Sequence, residues 1–341
     1  MLKLSVGYQY NEEKPFSQVI CGYKESIESV YFPWVDMPSG RSMIAGFDGY
    51  YDYGLQEALL ADLAKIKEMG IRLNLLFNAN CYGEDAMSEV LRGRVCSVID
   101  YLGQKDLLPS SVTTTSPAIA HMIREQYAGE GIELTASVNM KIGSVKGMEY
   151  VAHLFDNYCV AKECNRDLDR LRTLKTWAEQ HGKKITILAN SGCMRDCSGQ
   201  TFHDNMVAHE AEISKQKNIR FLPYMCYTYL KDPKHYVSVL QNTWVRPEDI
   251  HRYEGLADTV KLATRSHQLP GMVIGAYARG RYAGNLLDLF EPSYSPAFAP
   301  FVVDSSKIPA DFWEHTTQCN KQCHQCSYCE KVMNSALTVA Y

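Results

Sequence analysis

Short apolar or β-branched runs alternate with amphipathic stretches of helix length along nearly the whole chain, and this alternation limits the possible folds more than any other feature. Eight strand-like runs stand out: Lys3 to Gly7, Ser29 to Phe32, Leu73 to Asn78, Ser111 to Thr115, Glu133 to Val138, Asn157 to Ala161, Ile185 to Ala189 and Asp258 to Ala263. The clearest helical partners are Leu55 to Met69, Ala86 to Gly103, Pro117 to Ala128 and Arg166 to His181, each with an apolar stripe and a polar back. Gly70, Gly129 and Gly182 follow helices directly, where a left-handed C-cap is expected. Eight βα units predict an α/β fold, a (β/α)8 TIM-type barrel over residues 1–290, enlarged after its seventh strand. A doubly wound sheet fits less well, because no Gly-rich dinucleotide fingerprint follows the first strand and no phosphate loop occurs.

Beyond residue 290 the texture changes. Pro292, Pro296 and Pro300 interrupt aromatic residues, and the segment 291–341 reads as an appendage with a Cys-rich loop. A formal charge of -4, from 35 basic and 39 acidic residues, offers no basic field for nucleic-acid backbones, so nonspecific nucleic-acid binding is not expected. No run reaches the roughly 18 to 20 apolar residues of a membrane span, and the N-terminus lacks a signal-peptide pattern. A soluble, cytoplasmic protein is therefore expected. In a reducing compartment its twelve cysteines point to metal ligation more than to disulfides.

Four of those cysteines crowd together as Cys319, Cys323, Cys326 and Cys329. Thiolates converging from one continuous loop suit a ferredoxin-style [4Fe-4S] cluster, while a closed tetrahedral zinc cage is the alternative. The spacing of the first three also matches radical S-adenosylmethionine enzymes. That reading is set aside: the loop lies at the far end of the chain, Gln325 holds the position usually aromatic, and Cys329 is present to complete the set. A second group, Cys193 and Cys197, follows the seventh strand, where a barrel carries its chemistry, and Cys226 in the insertion before the eighth strand is placed to join them. Cys81 is a possible additional ligand and Cys164 a weaker one. Cys21, Cys96 and Cys159 read as core residues.

Other groups at the expected strand ends suit a polar substrate. Asn78, Asn80, Asn139 and Asn190 form a candidate amide ring, although short polar residues also end strands for purely structural reasons. Arg265 and Arg195 can pair with a carboxylate, and His203 can exchange a proton near neutral pH. Tyr50, Tyr51 and Tyr53 form a candidate aromatic lid.

The segment Asn80-Cys-Tyr-Gly83, the Gly192-Cys193-x3-Cys197 loop with His203, Val245 to Ile250 and the strand Val260 to Arg265 together resemble the collagenase-like peptidase family U32 over roughly residues 1 to 290. The resemblance is to the branch of oxygen-independent hydroxylases of ubiquinone biosynthesis and RNA modification. It implies a [4Fe-4S] cluster at the barrel mouth, with Cys193 and Cys197 in the place of the family's paired ligands and Cys226 matching its later cysteine. With the tail loop, two clusters are expected. The family's peptidase signature has a longer cysteine spacing, and its acidic and tyrosine-serine-glycine elements are not reproduced here, which argues against proteolysis. The expected function is oxygen-independent redox chemistry, most readily hydroxylation, on a small organic or modified-nucleoside substrate that can bear a carboxylate. A redox partner or homologous subunit is a further expectation. The alternatives are a noncatalytic cluster-bearing subunit of a hetero-oligomer and a metal-dependent hydrolase or peptidase.

Overall fold

The computed structural model describes residues 2–41, 44 and 51–340. Eight parallel strands close into one barrel: β1 (Lys3–Gly7), β2 (Ile27–Pro33), β3 (Arg72–Phe77), β4 (Ser111–Thr114), β5 (Glu133–Ala136), β6 (Asn157–Cys159), β7 (Lys184–Leu188) and β8 (Thr259–Leu262). The last strand meets the first in register from Lys3 opposite Thr259 to Val6 opposite Leu262, so no edge remains unpaired. The expected (β/α)8 TIM-type fold is what the chain adopts.

The helices form where the sequence supplies both an apolar stripe and a start signal. Tyr53–Glu68 buries Leu55, Leu59, Leu63 and Ile66 at helical spacing, and Asp52 accepts a hydrogen bond from the Leu55 amide at its start. Ser88, Ser116 and Asp167 cap the helices Glu89–Gln104, Pro117–Gln126 and Leu168–Gln180 in the same way. Each such cap is worth about 1 kcal/mol. Ser88 also explains why the third-strand helix starts later than Ala86: residues Gly83–Met87 form a 3-10 turn before it. Gly70 and Gly182 take the left-handed conformation directly after their helices, whereas the helix Pro117–Gln126 ends at Tyr127 without a left-handed glycine, and Gly129 does not take that conformation.

Alternation along the strands sends Leu4, Val6, Val30, Leu73, Leu75 and Val112 into the main apolar core. The opposite face is polar. Ser29 bonds Ser5 at 2.9 Å, Thr113 bonds Asn74 at 2.9 Å, and Asn157 bonds Thr135 at 3.4 Å. At the N-terminal end of the barrel Arg72 bridges Glu28 and Glu133, and Glu133 also meets Lys184. A lumen lined by hydroxyls and amides departs from the branched aliphatic filling usual in this fold.

The connection from β7 to β8 is the long one. It contributes Leu230, Tyr236 and Trp244 to a second apolar cluster, completed by Phe290, Tyr294, Phe298, Phe312 and Val332 from the C-terminal segment. Arg166, just after β6, fastens the two: its guanidinium donates to the carbonyls of Leu240 and Trp244 and lies over the rings of Trp244 and Phe312. A short antiparallel pair, β9 (Phe301–Val303) with β10 (Leu337–Val339), finishes the appendage. Among the described residues no helix is long and apolar enough to cross a membrane.

Candidate active site at the barrel mouth

The C-terminal ends of the strands surround a cavity of about 70 Å³. Its cationic side is made by Arg41, Lys141, Lys162, Lys261 and Arg265, and its anionic side by Glu163, Asp204 and Glu291. Several of these charges are held. Glu291 takes Arg41 Nε at 3.2 Å on one oxygen and the Ser266 amide at 2.9 Å on the other. Arg265 donates to Ser39 Oγ at 3.1 Å, and Lys162 Nζ lies 3.5 Å from the carbonyls of Cys193 and Met194. Lys261 stands differently, with its ammonium 4.1 Å from the centre of the Tyr31 ring. Burial in the lumen lowers the Lys261 pKa, and the neighbouring Arg265 and Arg41 push it the same way. Arg265 is likewise lowered to about 10, first by burial. One Asp204 oxygen is buried with no hydrogen-bond partner among the described residues.

Of the four expected amides, Asn78 and Asn139 line this cavity. Both crowd Gly40, where an added Cβ would come within 2.6 Å of Asn139 Nδ2 and 3.0 Å of Asn78 Nδ2, so the backbone approaches the amides only because that residue is glycine. Asn80 is not among the lining residues, and its side-chain oxygen is buried with no hydrogen-bond partner among the described residues. Asn190 is fully buried and works as a staple: it bonds both backbone groups of Ala263 and the carbonyl of Leu289. It joins β7, the residue after β8 and the C-terminal segment, and does not line the mouth. His203, on the helix Gln200–Ala208, packs edge-on to Tyr224 at 5.3 Å, and burial lowers its pKa. Its neighbour Asp204 points to the mouth instead, one residue away from the expected proton carrier. Tyr50 lies outside the described residues. Tyr51 and Tyr53 pack with ring centroids 4.9 Å apart and planes tilted by 57°, and line a groove with Trp34 and Tyr101, away from the mouth.

The thiols fall into two neighbouring groups. Cys193 lines the mouth cavity, while Cys197 and Cys226 line an adjoining one of about 430 Å³ together with Arg195 and Cys323. Burial raises the Cys226 thiol, and Cys193 and Cys197 are close enough to add to the shift. Cys319, Cys323, Cys326 and Cys329 surround a smaller cavity of about 90 Å³, and burial takes the Cys329 thiol to about 11, reinforced by the other three. Cys323 therefore belongs to both cavities. Arg195 donates to its sulfur at 3.6 Å and pairs with Asp196, so this arginine stands at the thiol-lined cavity.

Cys81 lies apart in a third cavity beside Tyr82 and His209, its sulfur accepting the Gly83 amide. Cys164 is buried against the backbone of Gly143, with its thiol raised by burial to about 11, as suits a core residue. Cys159 is buried as expected and sits beside Lys261, whereas Cys21 is exposed and Cys96 half-buried. Among the described residues no three His, Cys, Asp or Glu side chains are already spaced to hold one metal ion. The thiols line shared cavities and have the donor chemistry a thiolate-bound cluster needs.

Sequence reasoning did not single out Lys261, Asp204, Glu291 or Arg41 at this site. Lys261 had a signal, a lysine at an inward position of a strand flanked by buried neighbours. Arg41 and Glu291 arrive from loops, and Asp204 from the helix Gln200–Ala208 in the long insertion, and no local pattern reveals where these segments go.

No protein-family model matches the chain. It is similar to the protein named "Uncharacterized protease MJ1657" of Methanocaldococcus jannaschii, with 26% identity over 294 residues covering 82% of each chain. Among solved structures it resembles the U32 peptidase Mk0906, with a TM-score of 0.55 and 16% identity, covering 77% of this chain and 92% of that one. The chain is thus similar in sequence to a protein named as a protease, and it shares the barrel fold of a U32 peptidase.

Proposed function

We propose that this chain is an enzyme acting at the barrel mouth on a small anionic organic molecule, with an iron-sulfur cluster on the adjoining thiol wall. One observation carries the reading: Cys193 borders a cationic cavity on one side and the Cys197–Cys226 group on the other. Cys193, Cys197 and Cys226 would hold the cluster, and Cys323 is the tail thiol that shares their cavity. Such a cluster, when bound, supplies one-electron redox chemistry and an open iron site. That chemistry is the basis for assigning oxygen-independent redox turnover, hydroxylation first.

The protein's own residues supply the rest. Arg41 and Arg265 attract and orient a carboxylate, Asn78 and Asn139 offer neutral donors and acceptors, and the unpartnered Asp204 oxygen accepts or returns a proton. The deciding experiment is anaerobic purification with iron, sulfide and zinc analysis of the wild type and of Cys193→Ala/Cys197→Ala. Iron and sulfide in the first and their loss in the second are expected; near-zero iron with stoichiometric zinc would overturn the reading.

A second reading, a peptidase, is supported by the printed name of the Methanocaldococcus relative and the shared U32 barrel. Peptide cleavage that survives iron chelation and the Cys193→Ala substitution would favour it.

A further inference from the structure

Lys261 is a mouth amine whose surroundings do not suit a permanent charge. It projects inward from β8, one residue before the strand's end, and meets the Tyr31 ring face. Neither a hydrogen bond nor an ion pair engages its amine among the described residues, whereas Lys162 reaches two carbonyls. The charged and titratable groups around it are Arg41, Arg265, Glu291, Cys159 and Tyr31. Glu291 is already bonded to Arg41 and the Ser266 amide. Cys159 is a thiol whose pKa burial raises, so it supplies no standing negative charge. Tyr31 donates its hydroxyl to the Leu262 carbonyl at 2.7 Å and leaves only its ring to the lysine.

A desolvated amine beside two guanidiniums is favoured in its neutral, nucleophilic form. The same guanidiniums, held by Glu291, the Gly40 carbonyl and Ser39, line this cavity and give it the positive charge that a carboxylate needs. A molecule with a carbonyl next to its carboxylate would have its acid group held by the arginines and its carbonyl carbon beside the amine. We propose that Lys261 forms an imine with the carbonyl of a small 2-oxo acid bound by Arg265 and Arg41.

The step balances without any outside reagent. The Nζ lone pair bonds to the carbonyl carbon, the carbonyl π pair moves to oxygen, and a proton passes from nitrogen to that oxygen. Loss of one water then leaves the C=N bond, and nothing is oxidised or reduced. Asp204, with one oxygen unpartnered among the described residues in the cavity wall, is placed to relay the protons. This inference uses the lumen side of the mouth and does not depend on the thiol wall carrying a cluster.

The test is reductive trapping. The full chain is incubated with pyruvate or 2-oxoglutarate and sodium cyanoborohydride, and the sites of secondary-amine formation are mapped by peptide mass spectrometry. Lys261 should carry the adduct at least about tenfold more than Lys141, Lys162 or any surface lysine, as an activated amine requires. Arg265→Lys should lower that preference. Lys261→Arg should abolish the specific adduct while keeping the positive charge; if this variant fails to fold, the wild-type map alone decides. No adduct, an adduct spread evenly over the lysines, or a specific adduct that persists in Lys261→Arg would each overturn the proposal. Because trapping needs no iron, its failure would leave the cluster reading standing, and absence of iron would leave the imine standing.

Discussion

Arg195 Nη2 donates to the Cys323 sulfur across 3.6 Å, joining the loop after β7 to a tail loop 128 residues later in the chain. The contact puts the two cysteine groups side by side and makes Cys323 the thiol they share. A cation next to thiolates offsets the charge that a ligand set accumulates.

If both thiol groups bind clusters, metal content divides by group. After anaerobic reconstitution, Cys193→Ala/Cys197→Ala and Cys319→Ser/Cys329→Ser should each lose about half of the bound iron, as two clusters of equal size predict. Cys323→Ser should perturb the spectroscopic signature of both. Equal iron in all the variants would remove the basis for two sites.

Gly192 lies where the mouth loop passes the C-terminal segment, its amide bonded to the Glu291 carbonyl. A Cβ at this position would sit 2.2 Å from the Pro292 carbonyl oxygen and 3.2 Å from Phe290 Cβ. Backbone is the obstacle, so no rotamer relieves it. Gly192→Ala should cost about 2 to 4 kcal/mol, read by chemical denaturation. A midpoint equal to wild type would show that the two segments separate freely.

Asn190 and Asn78 should behave oppositely on substitution. Asn190→Ala removes the buried bonds to Ala263 and Leu289, leaves those groups unsatisfied, and should cost about 3 kcal/mol of stability. Asn78→Ala, at the cavity wall, should weaken carboxylate binding measured by calorimetry with a smaller change in stability. Equal stability losses would mean that both amides are staples.

The ion group at the closed end of the barrel gives a pH dependence. Burial alone would raise the Glu133 carboxyl, but Arg72 at 2.9 Å, with Asn157 and Lys184, holds it below the ordinary carboxylate range. Its contribution to stability is complete above the unfolded-state pKa of about 4.3 and is lost as pH falls through the lowered folded value. With a discount for partial exposure, Glu133→Gln should remove about 1 kcal/mol at neutral pH and flatten the acid limb of the stability curve. An unchanged acid limb in denaturation series run from neutral to acidic pH would count against the pair.

Much of this architecture is written locally. The alternation of short strands with capped amphipathic helices marks eight βα units, because the periods of 2 and 3.6 are properties of neighbouring residues. Helix starts at Ser88, Ser116 and Asp167 are also local, since a cap bonds an amide only two or three residues ahead. The crowding of Cys319, Cys323, Cys326 and Cys329 needs no tertiary information either. Local pattern alone was therefore enough for the barrel and for the thiol-rich tail loop.

Only closure of the barrel decided which residues meet at the mouth. Asn190 resembles Asn78 as an amide at a strand end, yet the approach of Ala263 and Leu289 makes it a staple. Lys261 reads as an ordinary strand lysine until Tyr31 from β2 and Arg41 from a distant loop join its near neighbour Arg265 around the amine. Glu291 enters the site from the first residue of the C-terminal segment, and Asp204 replaces His203 because the helix Gln200–Ala208 turns the aspartate toward the mouth. The physical reason is range. Backbone periodicity is fixed by contacts a few residues apart, whereas the charge and solvation of a site are set by groups brought together across hundreds of residues.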